Sequence, residues 1–104
     1  MTTVSTHVLD SVLGLPAAGL DVVLATADGT FLAAATTDAD GRIAWVADVD
    51  TGDYVLTFAT GEWFAAAERD TFFPAVTLTV TVSDEHTHVA LLLGPYSYTT
   101  YKGS

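Results

Sequence analysis

A chain of 104 residues, half of them hydrophobic, suits one domain spanning 1–104, and a core of that size gains from burying further surface between subunits. Thirteen acidic residues against three cations, Arg42, Arg69 and Lys102, give a formal charge of −10 and exclude nucleic acid and anionic membranes, which are gripped by clustered Lys and Arg. The absence of cysteine excludes disulfides, thiolate nucleophiles and zinc–thiolate sites.

The first ten residues lack the basic segment and long apolar run of a signal peptide, so a soluble cytoplasmic protein is expected. No apolar run reaches the roughly 18 residues of a membrane span. Short alternating stretches divided by turn signals run through the chain instead, the pattern of antiparallel strands. Strands are predicted at 4–10, 20–26 and 31–37, the last two joined by a hairpin at Asp28-Gly29, where glycine tolerates positive φ. Asp40-Gly41 turns the chain into a strand at 43–46, and Thr51-Gly52-Asp53 into one at 54–60. Residues 62–69, with Ala65-Ala66-Ala67, predict a single short helix. The alternation is clearest over Val76–Val82, where four apolar residues share one face and three threonines the other. Strands at 87–93 and 96–101 complete an all-β, two-sheet antiparallel sandwich.

Histidine is the side chain whose ordinary pKa lies near neutrality, so His7, His86 and His88 are the natural candidates for proton transfer. His86 and His88, two apart on a strand, point to one face; His7 sits mid-strand near the other end of the chain, with Ser5 and Leu9 on its face. The same residues also compose a three-imidazole zinc set, and an isolated strand histidine is ordinarily a surface or interface residue. Arg42 follows the Asp40-Gly41 turn and Lys102 lies near the terminus, so in a chain this acidic both are candidates to hold an anion or polarise a carbonyl. Arg69 is accounted for by contact with the negative end of the predicted helix. The run from Tyr96 to Ser104 is rich in hydroxyls.

Ser5-Thr6-His7-Val8-Leu9-Asp10, Thr37-Asp38-Ala39-Asp40-Gly41-Arg42, Phe72-Phe73-Pro74, and the run from His86-Thr87-His88 through Leu91-Leu92-Leu93 to Tyr101-Lys102-Gly103-Ser104 occur in that order. In these motifs, spread over the whole chain, the sequence resembles the transthyretin-like family, specifically its 5-hydroxyisourate hydrolase branch. The resemblance implies a transthyretin-type sandwich and a homotetramer with active sites in a channel between subunits. It further implies hydrolysis of a small molecule, 5-hydroxyisourate, in purine degradation, with no metal or other cofactor. The branch's two histidines, arginine and terminal Tyr-Arg-Gly-Ser fall on His7, His88, Arg42 and Tyr101 to Ser104. His7, Arg42 and His88 are then catalytic, and Tyr101, Lys102, Gly103 and Ser104 bind substrate. Lys102 stands where the branch has arginine, which keeps the charge and loses the planar fork. Ala90 and Gly94 replace the branch's proline and serine. The alternative reading is a transthyretin-type protein that binds a small ligand without chemistry.

Overall fold

The computed structural model describes residues 2–45, 48–83 and 85–103. In chain order its elements are β1 (Thr3–Asp10), β2 (Leu15–Pro16), β3 (Asp21–Thr26), β4 (Phe31–Thr36), β5 (Arg42–Ala44), β6 (Gly52–Phe58), α1 (Thr60–Ala66), β7 (Val76–Val82), β8 (His86–Leu93) and β9 (Tyr98–Gly103). They form a two-sheet β-sandwich. One sheet runs β2-β1-β8-β9, with β5 also paired to β1; the other runs β4-β3-β6-β7.

Alternation along the strands creates the core. From the first sheet Val4 and Val8 of β1 and Val89, Leu91 and Leu93 of β8 point inward; from the second come Val22 and Leu24, Leu56 and Phe58, and Val76 and Val82. Phe64 of α1 closes the same cluster and is fully buried. Burying a side chain of this size contributes about 1.5–3 kcal/mol.

The strands expected from sequence are present, with shifted ends that have local causes. The last begins at Tyr98 rather than 96 because the Gly94 N–H bonds the Ser97 carbonyl at 2.8 Å and turns the chain first. The helix covers Thr60–Ala66 rather than 62–69: Thr60 Oγ1 donates to the Phe73 carbonyl at 2.8 Å, drawing Thr60 out of β6. The expected strand at 43–46 ends at Ala44, and Val46 lies outside the described residues. β2 was not expected, since two residues hold no alternation to read. One pairing is parallel, that of β1 with β8, and the other ladders are antiparallel.

The reading of Arg69 needs correction. No basic residue lies in the last turn of α1; Arg69 folds back across the rings of Phe64 and Trp63 and pairs with Asp10, Nη1 to Oδ2 at 2.6 Å. A buried carboxylate offers a stronger attraction than a weak helix end. Asp10 Oδ1 also accepts the N–H groups of Val12 and Leu13 at 3.0 and 2.9 Å, so one 1% exposed side chain ties β1 to the next turn and to the segment after α1.

Burial alone would raise the Asp10 pKa, but the hydrogen bonds from Arg69, Leu13 and Val12 outweigh it and hold the carboxyl below its ordinary value. The stabilisation is therefore complete above the unfolded carboxyl's pKa of about 3.9 and is lost as pH falls through the lower folded value. Asp10→Asn is expected to cost about 1.5–3 kcal/mol in urea unfolding at pH 7 and to flatten the acid limb of stability against pH. An unchanged midpoint would show that the pair does not hold the fold together.

Candidate active site

The outer face of the first sheet assembles the site. Its register places Thr3 beside His86, Ser5 beside His88 and His7 beside Ala90 across β1 and β8. His7 faces Arg42 and Ser5 faces Ala44 across β1 and β5, while β9 sets Gly103 beside His88 and Tyr101 beside Ala90. Alternate residues of four strands thus share one surface. They border an open groove of ≈ 580 Å³ whose walls include Ser5, Arg42, His86, His88, Tyr101 and Gly103.

Arg42 reaches that surface through a turn that only glycine completes. Gly41 has φ +77°, and a Cβ there would sit 2.3 Å from the Val8 carbonyl oxygen. The Gly41 carbonyl accepts the Val8 N–H at 2.8 Å, and Asp38 Oδ1 accepts the N–H groups of Asp40 and Arg42, both at 2.9 Å. The same turn orients His7, whose Nε2–H donates to the Asp40 carbonyl at 3.0 Å. His7 stands at the edge of the groove rather than in its wall, its ring centroid 6.5 Å from that of His88 and the planes tilted by 43°.

His88 is held more tightly. Its Nδ1 lies 2.7 Å from Ser5 Oγ, and the backbone of Gly103 presses so closely on the ring that a Cβ at 103 would come within 2.4 Å of Cδ2. Burial, then the electrostatic influence of Arg42, His7 and His86, lowers its pKa below the ordinary histidine value. His88 is accordingly a neutral imidazole at pH 7, fit to accept a proton. His86, exposed, shares the same serine: its Nε2 is 2.8 Å from Ser5 Oγ and its Nδ1 2.5 Å from Thr3 Oγ1.

The structure therefore brings together His7, Arg42, His88, Tyr101 and Gly103 within one protomer. Lys102 is set apart. It pairs with Val89, so alternation assigns it to the face opposite His88, and it does not join Arg42 beside the histidines of its own protomer. Ser104 lies outside the described residues. The sequence reading underused Ser5: it stood on the His7 face, but its contact with both β8 histidines depends on a pairing that one strand's pattern does not reveal. Among the described residues no three His, Asp or Glu side chains converge as a metal site.

Fold and groove together define a transthyretin-type β-sandwich bearing a histidine and arginine site on one sheet face. The chain belongs to the HIUase/Transthyretin family, whose model matches residues 4–103. A 5-hydroxyisourate hydrolase of Caulobacter vibrioides is 43% identical, over 100% of both chains. The structure of Klebsiella pneumoniae 5-hydroxyisourate hydrolase superposes with a TM-score of 0.93 at 40% identity, again over 100% of both. Sea bream transthyretin in complex with thyroxine superposes at 0.88 with 30% identity, over 96% of this chain and 93% of its own.

Gly103→Ala is expected to leave the fold intact and push the His88 ring off Ser5 into solvent. In an NMR titration wild-type His88 should titrate below the ordinary value of about 6.5, and the variant should move up toward it. A wild-type midpoint already at the ordinary value would contradict the packing described.

Proposed function

We propose that this chain, as one domain, hydrolyses 5-hydroxyisourate to 2-oxo-4-hydroxy-4-carboxy-5-ureidoimidazoline in urate degradation, working in the cytoplasm as a homotetramer with active sites at subunit interfaces. The observation that carries the reading is the meeting of His7 and His88, from opposite ends of the chain, beside Arg42 at one groove. The names of the Caulobacter and Klebsiella relatives support the substrate.

Opening the ring requires water to attack an amide carbonyl, which needs a base for the water and a positive partner for the developing oxyanion. Side chains supply both, and no cofactor enters the scheme. The two imidazoles are too far apart for a direct hydrogen bond and close enough for one water to touch both rings. His88, neutral because its pKa is depressed, takes the proton as the water oxygen bonds to the carbonyl carbon. His7, anchored through Nε2–H to the Asp40 carbonyl, presents its remaining nitrogen to the same water. Arg42 polarises the carbonyl oxygen with a charge that does not titrate near neutrality. Collapse of the tetrahedral intermediate breaks the C–N bond, the nitrogen leaves with the proton that His88 took from water, and the new carboxylic acid ionises. Tyr101 and Gly103 border the substrate, and the family pattern assigns Ser104, which lies outside the described residues, to substrate binding with them; Lys102, set by its register on the other face, is given no role toward substrate within its own protomer.

The second reading, a ligand carrier, draws on the likeness to the thyroxine-bound transthyretin. The deciding measurement is the ultraviolet decay of freshly made 5-hydroxyisourate. Decay well above the buffer rate is expected, and decay equal to it would favour the carrier. His88→Ala should lower kcat by about 10²-fold or more. Because the base must be deprotonated and its pKa is lowered, kcat/KM should climb with pH along a limb centred below about 6.5; a limb centred above that value would remove His88 as the base. Light scattering should return four times the 10.9 kDa protomer mass.

A further inference from the structure

We propose that Ser5, steered by His86, is a positioning residue that fixes the tautomer of His88 and leaves its Nε2 lone pair facing the groove. The inference rests on the hydrolysis proposed above and names the nitrogen that acts as base. A neutral imidazole carries its proton on one ring nitrogen, and only the other can take a proton from water. Which nitrogen is bare is set by the hydrogen bond that its partner in the ring makes.

One row of the sheet fixes the ring. Ala44 of β5, Ser5 of β1, His88 of β8 and Gly103 of β9 lie side by side. On one flank Ser5 Oγ stands 2.7 Å from His88 Nδ1; on the other, Gly103 lies so near that a Cβ there would meet Cδ2 at 2.4 Å. With those two edges engaged, Nε2 and Cε1 form the far end of the ring. Turning the ring over would set a C–H against the serine and lose the bond, so packing and Ser5 together fix the orientation.

The next row decides the proton. His86 Nε2 lies 2.8 Å from the same Ser5 Oγ, and His86 Nδ1 lies 2.5 Å from Thr3 Oγ1. A serine hydroxyl has one proton, so Ser5 cannot donate to both imidazoles and at least one of them donates to it. When His86 donates from Nδ1 to Thr3, its Nε2 offers a lone pair. Ser5 then donates to His86 and turns a lone pair to His88, which donates from Nδ1 and keeps Nε2 bare. In the reverse arrangement Ser5 donates to His88 Nδ1, Nε2 carries the hydrogen, and His88 takes no proton from the groove. Burial and the neighbouring groups keep His88 neutral, so it has a single ring proton to place.

The first arrangement is the one that suits a nucleophilic water. His7 commits its Nε2–H to the Asp40 carbonyl, which leaves its other nitrogen as an acceptor. A water that donates one hydrogen to His7 and the other to His88 Nε2 keeps its oxygen lone pairs for the carbonyl carbon. An Nε2–H on His88 would occupy one of those lone pairs instead.

Tautomer and turnover are read separately. In ¹⁵N NMR at about pH 8, above the ordinary imidazole value of about 6.5, wild-type His88 is expected in the Nδ1–H form. Ser5→Ala removes the acceptor and should shift His88 toward Nε2–H. Because the released ring still visits the other tautomer, kcat should fall roughly 10-fold with KM unchanged, less than the about 10²-fold expected for removing the base. Ser5→Thr keeps a hydroxyl on the strand and should restore both readings. His86→Leu leaves the serine proton free for His88 Nδ1 and should also give the Nε2–H form with lowered kcat; His86→Gln, whose amide oxygen accepts from Ser5, should return both toward wild type. A merely structural role for either residue would change the melting temperature without changing the tautomer. Wild-type His88 found as Nε2–H, or a tautomer indifferent to Ser5→Ala and His86→Leu, would overturn the assignment and leave the hydrolase reading intact. An Nδ1–H His88 that reverses in His86→Leu, in a protein that consumes 5-hydroxyisourate no faster than buffer, would uphold the positioning by Ser5 and overturn the hydrolase reading.

Discussion

The parallel pairing of β1 with β8 is the constraint on which the site depends. Side chains on a strand alternate faces, so a slip of one residue would send His88 into the core and bring Thr87 or Val89 to the groove. What prevents the slip lies on the inner side, where Val4, Thr6 and Val8 of β1 meet Thr87, Val89 and Leu91 of β8, all nearly inaccessible to water. Thr6 adds a hydroxyl bond to the Val89 carbonyl at 2.7 Å. The same hydrophobic burial that stabilises the sandwich therefore fixes the chemistry on its outer surface, and no separate scaffold is needed to align the imidazoles.

Two glycines complete what the register begins, each by close approach. At Gly41 the absence of a side chain lets the turn lie against the Val8 carbonyl, which sets Arg42 across the ladder from His7 and the Asp40 carbonyl against its Nε2–H. At Gly103 it lets the final strand press on the His88 ring. One arrangement sets a fixed positive charge and a ring orientation, the other sets burial. The two imidazoles consequently differ: His7 is tied through its Nε2–H to a carbonyl, and His88 through Nδ1 to a serine. Different nitrogens are left available on each.

Much of this architecture was legible in the sequence because it follows from local rules. Alternation over Val76–Val82, the Asp-Gly turns and the alanine run each report on a few neighbouring residues, and each gave an element within a few positions of its observed place. The histidines and Arg42 were legible because so few groups in an acidic chain are suited to proton transfer or carbonyl polarisation. Pairwise facts were not legible. The hydroxyl that bridges two histidines, the ion pair of Arg69 with Asp10 and the face occupied by Lys102 each depend on which strand lies beside which, and in what register. Lys102 is the plainest case: adjacent to Tyr101 and Gly103 in sequence, it is assigned by its pairing with Val89 to the opposite face of the strand.

The acidity of the chain sharpens the electrostatics of the groove. Of its three cations, Arg69 is consumed by Asp10 and Lys102 belongs to the other face, so Arg42 is the guanidinium that acts on the histidine surface. Asp38, whose carboxyl feels the Arg42 charge, is occupied with the backbone of its own turn, accepting the N–H groups of Asp40 and Arg42. Among the described residues no carboxylate forms a salt bridge with Arg42, so its guanidinium is a source of positive potential rather than one half of a tight pair. Under the proposed mechanism the potential acts on His88 and on substrate in the same sense. It disfavours an imidazolium, keeping the base unprotonated, and it favours an oxyanion on a carbonyl held above the groove. In the proposed mechanism a single fixed charge thus prepares the base before reaction and stabilises the intermediate that the base helps to form, and it sits on a turn that requires glycine.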